Sequence, residues 1–132
     1  MAQALDAGFA DIIALARARL TQVSIEENSE ADRAILAIEG RFGGYRVVLK
    51  EVVNPQRRRY AYYVLQRERV ILGFDNHVDR TALRLEYGDN YTAHIFDLVP
   101  HRHGPDKTTT ILTEPWDAVR FLQDLDVLPA PE

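Results

Sequence analysis

A chain of 132 residues with 46% hydrophobic and 27% charged side chains has the composition of a folded globular protein, far from the balance of disordered chains. Its length suits one core rather than two, so a single domain over residues 1–132 is expected. The lack of cysteine excludes a disulfide framework, thiolate metal ligands and cysteine nucleophiles and fits a reducing cytoplasm, while the formal net charge of −4 argues against adhesion to nucleic acid driven by bulk charge.

The opening MAQALDAGFADIIALARARL carries Asp6 and Asp11 among its apolar residues, so neither a secretion leader nor a membrane span is expected. Within it Leu5, Phe9, Ile12, Ile13, Ala16 and Leu20 recur at three- and four-residue steps. That period predicts a helix whose apolar stripe covers a core, with a dimer or partner surface as the other use of such a stripe. The period then drops to two: Thr21, Val23 and Ile25 alternate with Gln22, Ser24 and Glu26, as in an edge strand with one wet face. Asn28 and Ser29 form a turn before AILAI (34–38), and Gly40, Gly43 and Gly44 punctuate the return into YRVVLKEVV, where Tyr45, Val47 and Leu49 share a face.

After Asn54-Pro55 comes RRRYAYYVLQRERVILGFDN. Both alternating sets there, Tyr60, Tyr62 and Val64 against Ala61, Tyr63 and Leu65, are apolar, which predicts a central strand covered on both sides. Residues 66–69 turn the chain back into VILGF without the Gly, Asn or Asp of a tight hairpin. The expected product is an antiparallel meander of about five strands. From Asn76 to Thr110 periodicity fades: TALRLEY suits a short helix or a strand, and TTTIL is rich in strand formers. Thr113 and Glu114 before Pro115 make a helix start, and Trp116, Val119, Leu122 and Leu125 give a helical stripe ended by Pro129 and Pro131. The fold class is therefore α+β: N-terminal helix, antiparallel meander, C-terminal helix.

All four histidines, His77, His94, His101 and His103, fall in the late irregular stretch. Imidazole exchanges a proton near neutrality and ligates metals, so convergent histidines suit either chemistry. On extended backbone His101 and His103 project together and Arg102 oppositely. Asp75, Asn76, Asp79 and the run Gly104-Pro105-Asp106-Lys107 lie close by in sequence.

Three readings fit this pattern. In the first, one imidazole takes a proton from an attacking hydroxyl, the other protonates the leaving oxygen, Asp75 and Asn76 complete the site, and Arg102, Lys107 or His77 meets the phosphate without a metal. In the second, His101, His103 and a carboxylate, Asp75 or Asp97, hold a divalent ion such as zinc or manganese. In the third, the segment is a solvated loop whose histidines cap turns and pair with acids. Phosphate-binding glycine loops, nucleophile elbows and H-E-x-x-H helices are absent from the sequence. The run Arg57-Arg58-Arg59 reads as a solvated hairpin end rather than a nucleic-acid clamp in so acidic a chain.

RYAYYVLQRERVILGFDN, then VPHRHG, then EPWDAVRFLQDL resembles the TumE-like family of small toxin–antitoxin proteins. The likeness spans about residues 45 to 125 and rests on the order of parts: tyrosine-rich strand, hairpin, an aromatic-Asp-Asn strand end, an H-x-H triplet and a closing helix. The resemblance implies the toxin half of a two-gene module, a cognate antitoxin as partner and RNA as a target. The positions matching the family's motifs are Asp75, Asn76, His101, Arg102 and His103; where family members often carry a further histidine beside the triplet, this chain has Pro100. The resulting expectation is a toxin-like endoribonuclease, with a homodimer allowed. The alternative is a non-catalytic protein- or nucleic-acid-binding regulatory domain with a structural histidine loop.

Overall fold

The structure is a computed structural model and describes residues 4–127. The chain opens with α1 (Phe9–Arg19) and continues through β1 (Thr21–Ser29), β2 (Ala34–Phe42), β3 (Tyr45–Val53), β4 (Arg58–Gln66) and β5 (Arg69–Asp75). Then come α2 (Arg80–Tyr87), a 3-10 segment over Gly88–His94, β6 (His101–His103), β7 (Thr110–Leu112) and α3 (Ala118–Gln123). The seven strands lie side by side in chain order, each antiparallel to the next. The α+β class and the helix, meander, helix order stand as expected, but the sheet has seven strands rather than about five. The two additions, β6 and β7, are three residues each, too short for a period of two to show in the sequence.

Alternation decides which face meets the helices. Leu36 and Ile38, Val47 and Leu49, and Tyr60, Tyr62 and Val64 are buried with Phe9, Ile12 and Ala16 of α1 and Phe121 and Leu122 of α3 in one core. Tyr62 stacks between Tyr60 and Phe121, at 5.0 and 5.3 Å, and such aromatic pairs add about 0.5–1.5 kcal/mol each beyond the area they bury. β4 is the middle strand of the seven, and its other face, Ala61, Tyr63 and Leu65, is half-buried.

A smaller apolar cluster of Ala82, Leu83 and Val99, with Tyr87, Tyr91 and Leu112 against it, lies apart from this core. Leu112 pairs with His101, and directly paired residues share a face, so α2 covers the side of the sheet opposite the main core, at the His101 end only. TALRLEY is thus helical, and Asp79 caps it by accepting from the Ala82 N–H at 2.9 Å.

Three local expectations change. Asn28 and Ser29, expected as a turn, end β1 paired with Ile35 and Ala34, and the chain turns at Glu30–Arg33 instead. The closing helix begins at Ala118, capped by Asp117, rather than at Pro115. Its would-be first turn is held extended because Arg58 Nη2 donates to the Trp116 carbonyl at 2.7 Å and the Trp116 N–H donates to Tyr60 Oη at 3.2 Å. The β4–β5 hairpin is tight after all: Leu65 and Gln66 pair with Val70 and Arg69. Arg67 and Glu68 take φ +52° and +64° there, as a two-residue turn that matches strand twist demands. The end of the C-terminal stripe, Pro129 and Pro131, lies outside the described residues.

Candidate functional site

Three polar side chains are buried together on the sheet face opposite the main core. Asp75 ends β5, His101 begins β6, and the two are directly paired, with Gly73 and His103 paired two positions along. Antiparallel pairing thus places one carboxylate and two imidazoles on a single face, and α2 over that end of the sheet removes them from water. His101 is 0% exposed, with Asp75 and His103 at 4% and 5%.

The three groups point at one another. His101 Nε2 lies 3.0 Å from Asp75 Oδ1 and 3.1 Å from His103 Nε2, and His103 Nε2 lies 3.4 Å from Asp75 Oδ2. Each is gripped from behind. His101 Nδ1 is 2.7 Å from the Val99 carbonyl, which can only accept, so Nδ1 carries a hydrogen. His103 Nδ1 is 3.4 Å from Thr110 Oγ1. Asp75 accepts from the Tyr63 hydroxyl at Oδ2 and from the His77 backbone N–H, at 3.0 Å, at Oδ1.

The charges follow from these contacts. Burial pushes the Asp75 carboxyl up, but the bonds from His101 and Tyr63 outweigh it and hold the pKa down at about 2. Burial likewise pushes the His101 ring down, and its acceptors Asp75 and the Val99 carbonyl reverse this, leaving it raised. His103 is lowered by burial and by the positive charge of its neighbour His101. In the absence of a bound ion, these contacts favour the protonated form of His101 and the neutral form of His103 beside an ionised Asp75.

A cavity of about 290 Å³ opens beside the cluster, lined by Asp75, His103, Tyr63, His77, Asp79 and Lys107 among others. Asp106 and Lys107 both take left-handed backbone, φ +53° and +58°, a conformation that costs side-chain-bearing residues of order 1 kcal/mol each or more. Arg69 pairs with the Asp106 carboxylate. The turn delivers the Lys107 ammonium to 4.8 Å from the centre of the Tyr63 ring, at the cavity.

Among the expected site residues, the structure therefore brings together Asp75, His101 and His103, with His77 and Lys107 at the cavity. Others are elsewhere. Arg102, expected to hold a phosphate, sits on the opposite face 5.9 Å over the Phe74 ring, because the alternation that joins the two histidines turns the residue between them away. Asn76 is engaged fully with main chain: its Oδ1 accepts from the Tyr60 N–H and its Nδ2 donates to the Arg58 carbonyl, both at 2.9 Å. Its side chain extends the β4–β5 ladder past Asp75 and positions that residue. Asp97, the other carboxylate weighed as a ligand, accepts from Tyr87 and pairs with His94 at 2.9 Å.

Tyr63 was not among the expected site residues, having the look of a strand aromatic. The signal that betrays it is Gly73: a strand glycine marks a close approach, and here a Cβ on Gly73 would stand 2.3 Å from Tyr63 Cε1. The missing side chain lets the phenol lie across β5 and reach Asp75.

The donor set has metal-ligand chemistry as well as proton-transfer chemistry. Among the described residues, Asp75, His101 and His103 are the one group of three or more His, Asp or Glu whose ligand atoms converge, all within 4.8 Å of one another. No family model, no curated protein and no solved structure matches the chain. Among the described residues no helix is long and apolar enough to cross a membrane.

Proposed function

We propose that the protein cleaves RNA phosphodiesters at the Asp75–His101–His103 cluster, as the toxin-like half of a two-gene module whose cognate antitoxin restrains it. The observation that carries this reading is the convergence of three buried side chains, two imidazoles and a carboxylate, beside a cavity that Lys107 also lines. The cluster is a centre able to draw the proton from an attacking hydroxyl, and Lys107 at the same cavity is placed to offset the charge of the phosphate under attack. His77, also at the cavity, contributes a second donor to the phosphate.

The two imidazoles do not divide the work as an acid and a base on opposite sides of a phosphate. Their Nε2 atoms lie 3.1 Å apart and aim at one point, so no phosphate fits between them. They act as one unit on the attacking side, and as the bond from phosphorus to the leaving oxygen breaks, that oxygen takes its proton from His77 or water at the cavity.

The test is cleavage of single-stranded RNA by purified protein, alongside growth on induced expression. His103→Ala and Asp75→Asn are expected to lower the cleavage rate by roughly 10²-fold or more, the scale of positioned proton transfer. Parent-level cleavage in the folded double variant His101→Ala/His103→Ala removes the reading, as does intact RNA after treatment with the parent protein.

A further inference from the structure

We infer that Asp75, His101 and His103 together bind one divalent transition-metal ion, zinc or manganese in class, with open coordination positions turned toward the cavity.

The separations are those of ligands around an ion. Imidazole nitrogens and carboxylate oxygens bind such metals at about 2.0–2.2 Å, so neighbouring ligands lie about 3.0 Å apart at right angles and about 3.4 Å apart at tetrahedral angles. His101 Nε2 lies 3.0 Å from Asp75 Oδ1 and 3.1 Å from His103 Nε2, and His103 Nε2 lies 3.4 Å from the second carboxylate oxygen, Oδ2, so the carboxylate presents one oxygen to each ring. A shared hydrogen accounts for less. Since His101 Nδ1 holds the hydrogen that faces Val99, a neutral His101 aims a lone pair from Nε2 at both the carboxylate and the second ring. One added proton there can lie along the line to Asp75 or to His103 but not along both, whereas a cation satisfies all three side chains at once.

The surrounding shell has the form metal ligands require. A ligating histidine typically donates its other ring N–H to a carbonyl or carboxylate, which fixes the tautomer and aims the lone pair; Val99 does this for His101, and Thr110 stands in that place for His103. Tyr63 and the His77 N–H fix the carboxylate. Two imidazoles and one carboxylate, in a chain without cysteine, select zinc, manganese or iron(II) over calcium and magnesium. Three protein ligands leave a site open, as in catalytic rather than structural centres, and the cavity lined by Asp75, His103 and Lys107 provides room for water and a phosphate oxygen at the free positions.

This inference deepens the cleavage reading and rests on it for the ion's role, while binding itself is measured without RNA. Purified full-length protein is stripped with a chelator, dialysed and titrated with Zn²⁺ or Mn²⁺ alone by calorimetry, with bound metal counted by mass spectrometry. One equivalent per chain is expected. His101→Gln/His103→Gln, checked for folding by circular dichroism, should lose it, and Tyr63→Phe should weaken it by about 10-fold, the lower end of effects seen for groups behind the ligands. His94→Ala, at a histidine outside the cluster, should retain it. Folded parent protein without saturable binding overturns the inference, and so does a full equivalent retained by the double variant. Metal bound without RNA cleavage keeps the ion and removes the ribonuclease reading; saturable binding absent from a protein that still cleaves RNA removes the ion and keeps the ribonuclease reading.

Discussion

Gly73→Ala isolates the link between sheet geometry and the buried carboxylate. The new Cβ would stand 2.3 and 2.4 Å from Tyr63 Cε1 and Cδ1, whereas carbon atoms settle at about 3.5–4.0 Å. The ring must therefore retreat by roughly 1 Å or more, and its hydroxyl, at the far end of the lever, leaves Asp75. The overpacking costs about 1–3 kcal/mol, and a lost hydrogen bond to a charged group about 1.5–3 kcal/mol. Together these give a loss of about 2.5–6 kcal/mol, or roughly 8–25 °C in midpoint for a chain of this size. Urea unfolding of Gly73→Ala, Tyr63→Ala and the double variant measures it. With the ring already removed, alanine at 73 should cost nothing or gain about 0.5–1 kcal/mol, since glycine is the poorer strand residue. An equal loss from Gly73→Ala in both backgrounds refutes the account, because the penalty would then not pass through Tyr63.

Three further outcomes are expected. Asn76→Ala leaves the Tyr60 N–H and the Arg58 carbonyl without their side-chain partners and should lower stability by about 2–4 kcal/mol on the scale of such groups; an unchanged urea midpoint would show the ladder extension to be dispensable. Arg58→Ala removes a cation from the buried Glu51 carboxylate, leaving it the Tyr62 hydroxyl. The cost should be about 3–5 kcal/mol, much of it recovered when Glu51 is made apolar as well, and a double variant no better than the single one would contradict this. In ion-free protein, ring-nitrogen NMR should show His101 titrating above its ordinary 6.5 and His103 below it. A raised folded pKa stabilises below the unfolded value and fades as pH rises through the folded one. The stability gap between parent and His101→Gln should therefore be fully present below 6.5 and narrow as pH rises through the higher folded-state value. For Asp75, lowered to about 2 from 3.8, the sign reverses: its contribution is present above 3.8 and is lost as pH falls toward 2.

Where a residue's partners are near in sequence, or a strand is long enough to repeat, the chain was readable. β2, β3 and β4 are nine residues each, so alternation is repeated four times over, and the buried set Tyr45, Val47 and Leu49 follows from it. A strand of three residues contains one alternation and leaves no pattern, so β6 goes unmarked and β7 shows only in the strand-forming composition of TTTIL until β5 offers them an edge. The shift of the last helix from Pro115 to Ala118 is a tertiary effect, since the Arg58 guanidinium that captures the Trp116 carbonyl is 58 residues away. At the site, period two alone put His101 and His103 on one side and Arg102 on the other. The carboxylate they meet depends on the register of β5 with β6, which no local signal encodes. Val99 and Thr110, which hold the backs of the rings, are ordinary residues in the sequence and acquire meaning only from that register.

A sheet with its helices on one side would leave the other face wet, and a wet Asp-His-His cluster is an unremarkable set of exposed polar groups. Here α2 and the Val99 and Leu112 contacts seal that face at one end, where β6 has joined β5. The loss of water is what makes the cluster consequential: opposing lone pairs screened in solvent repel strongly in a dry interior. A positive centre must then occupy the gap between them, whether proton or metal. The energy of folding α2 over the sheet is thus coupled to whatever fills that gap. Removing the small seal, for instance by Leu83→Ala, should therefore weaken binding of a cation at a position the leucine does not ligate, in addition to the roughly 2–5 kcal/mol such a truncation costs in stability. Calorimetric titration of the folded Leu83→Ala protein with zinc tests this coupling, and an affinity equal to the parent's would mean that the ligands are held without the seal.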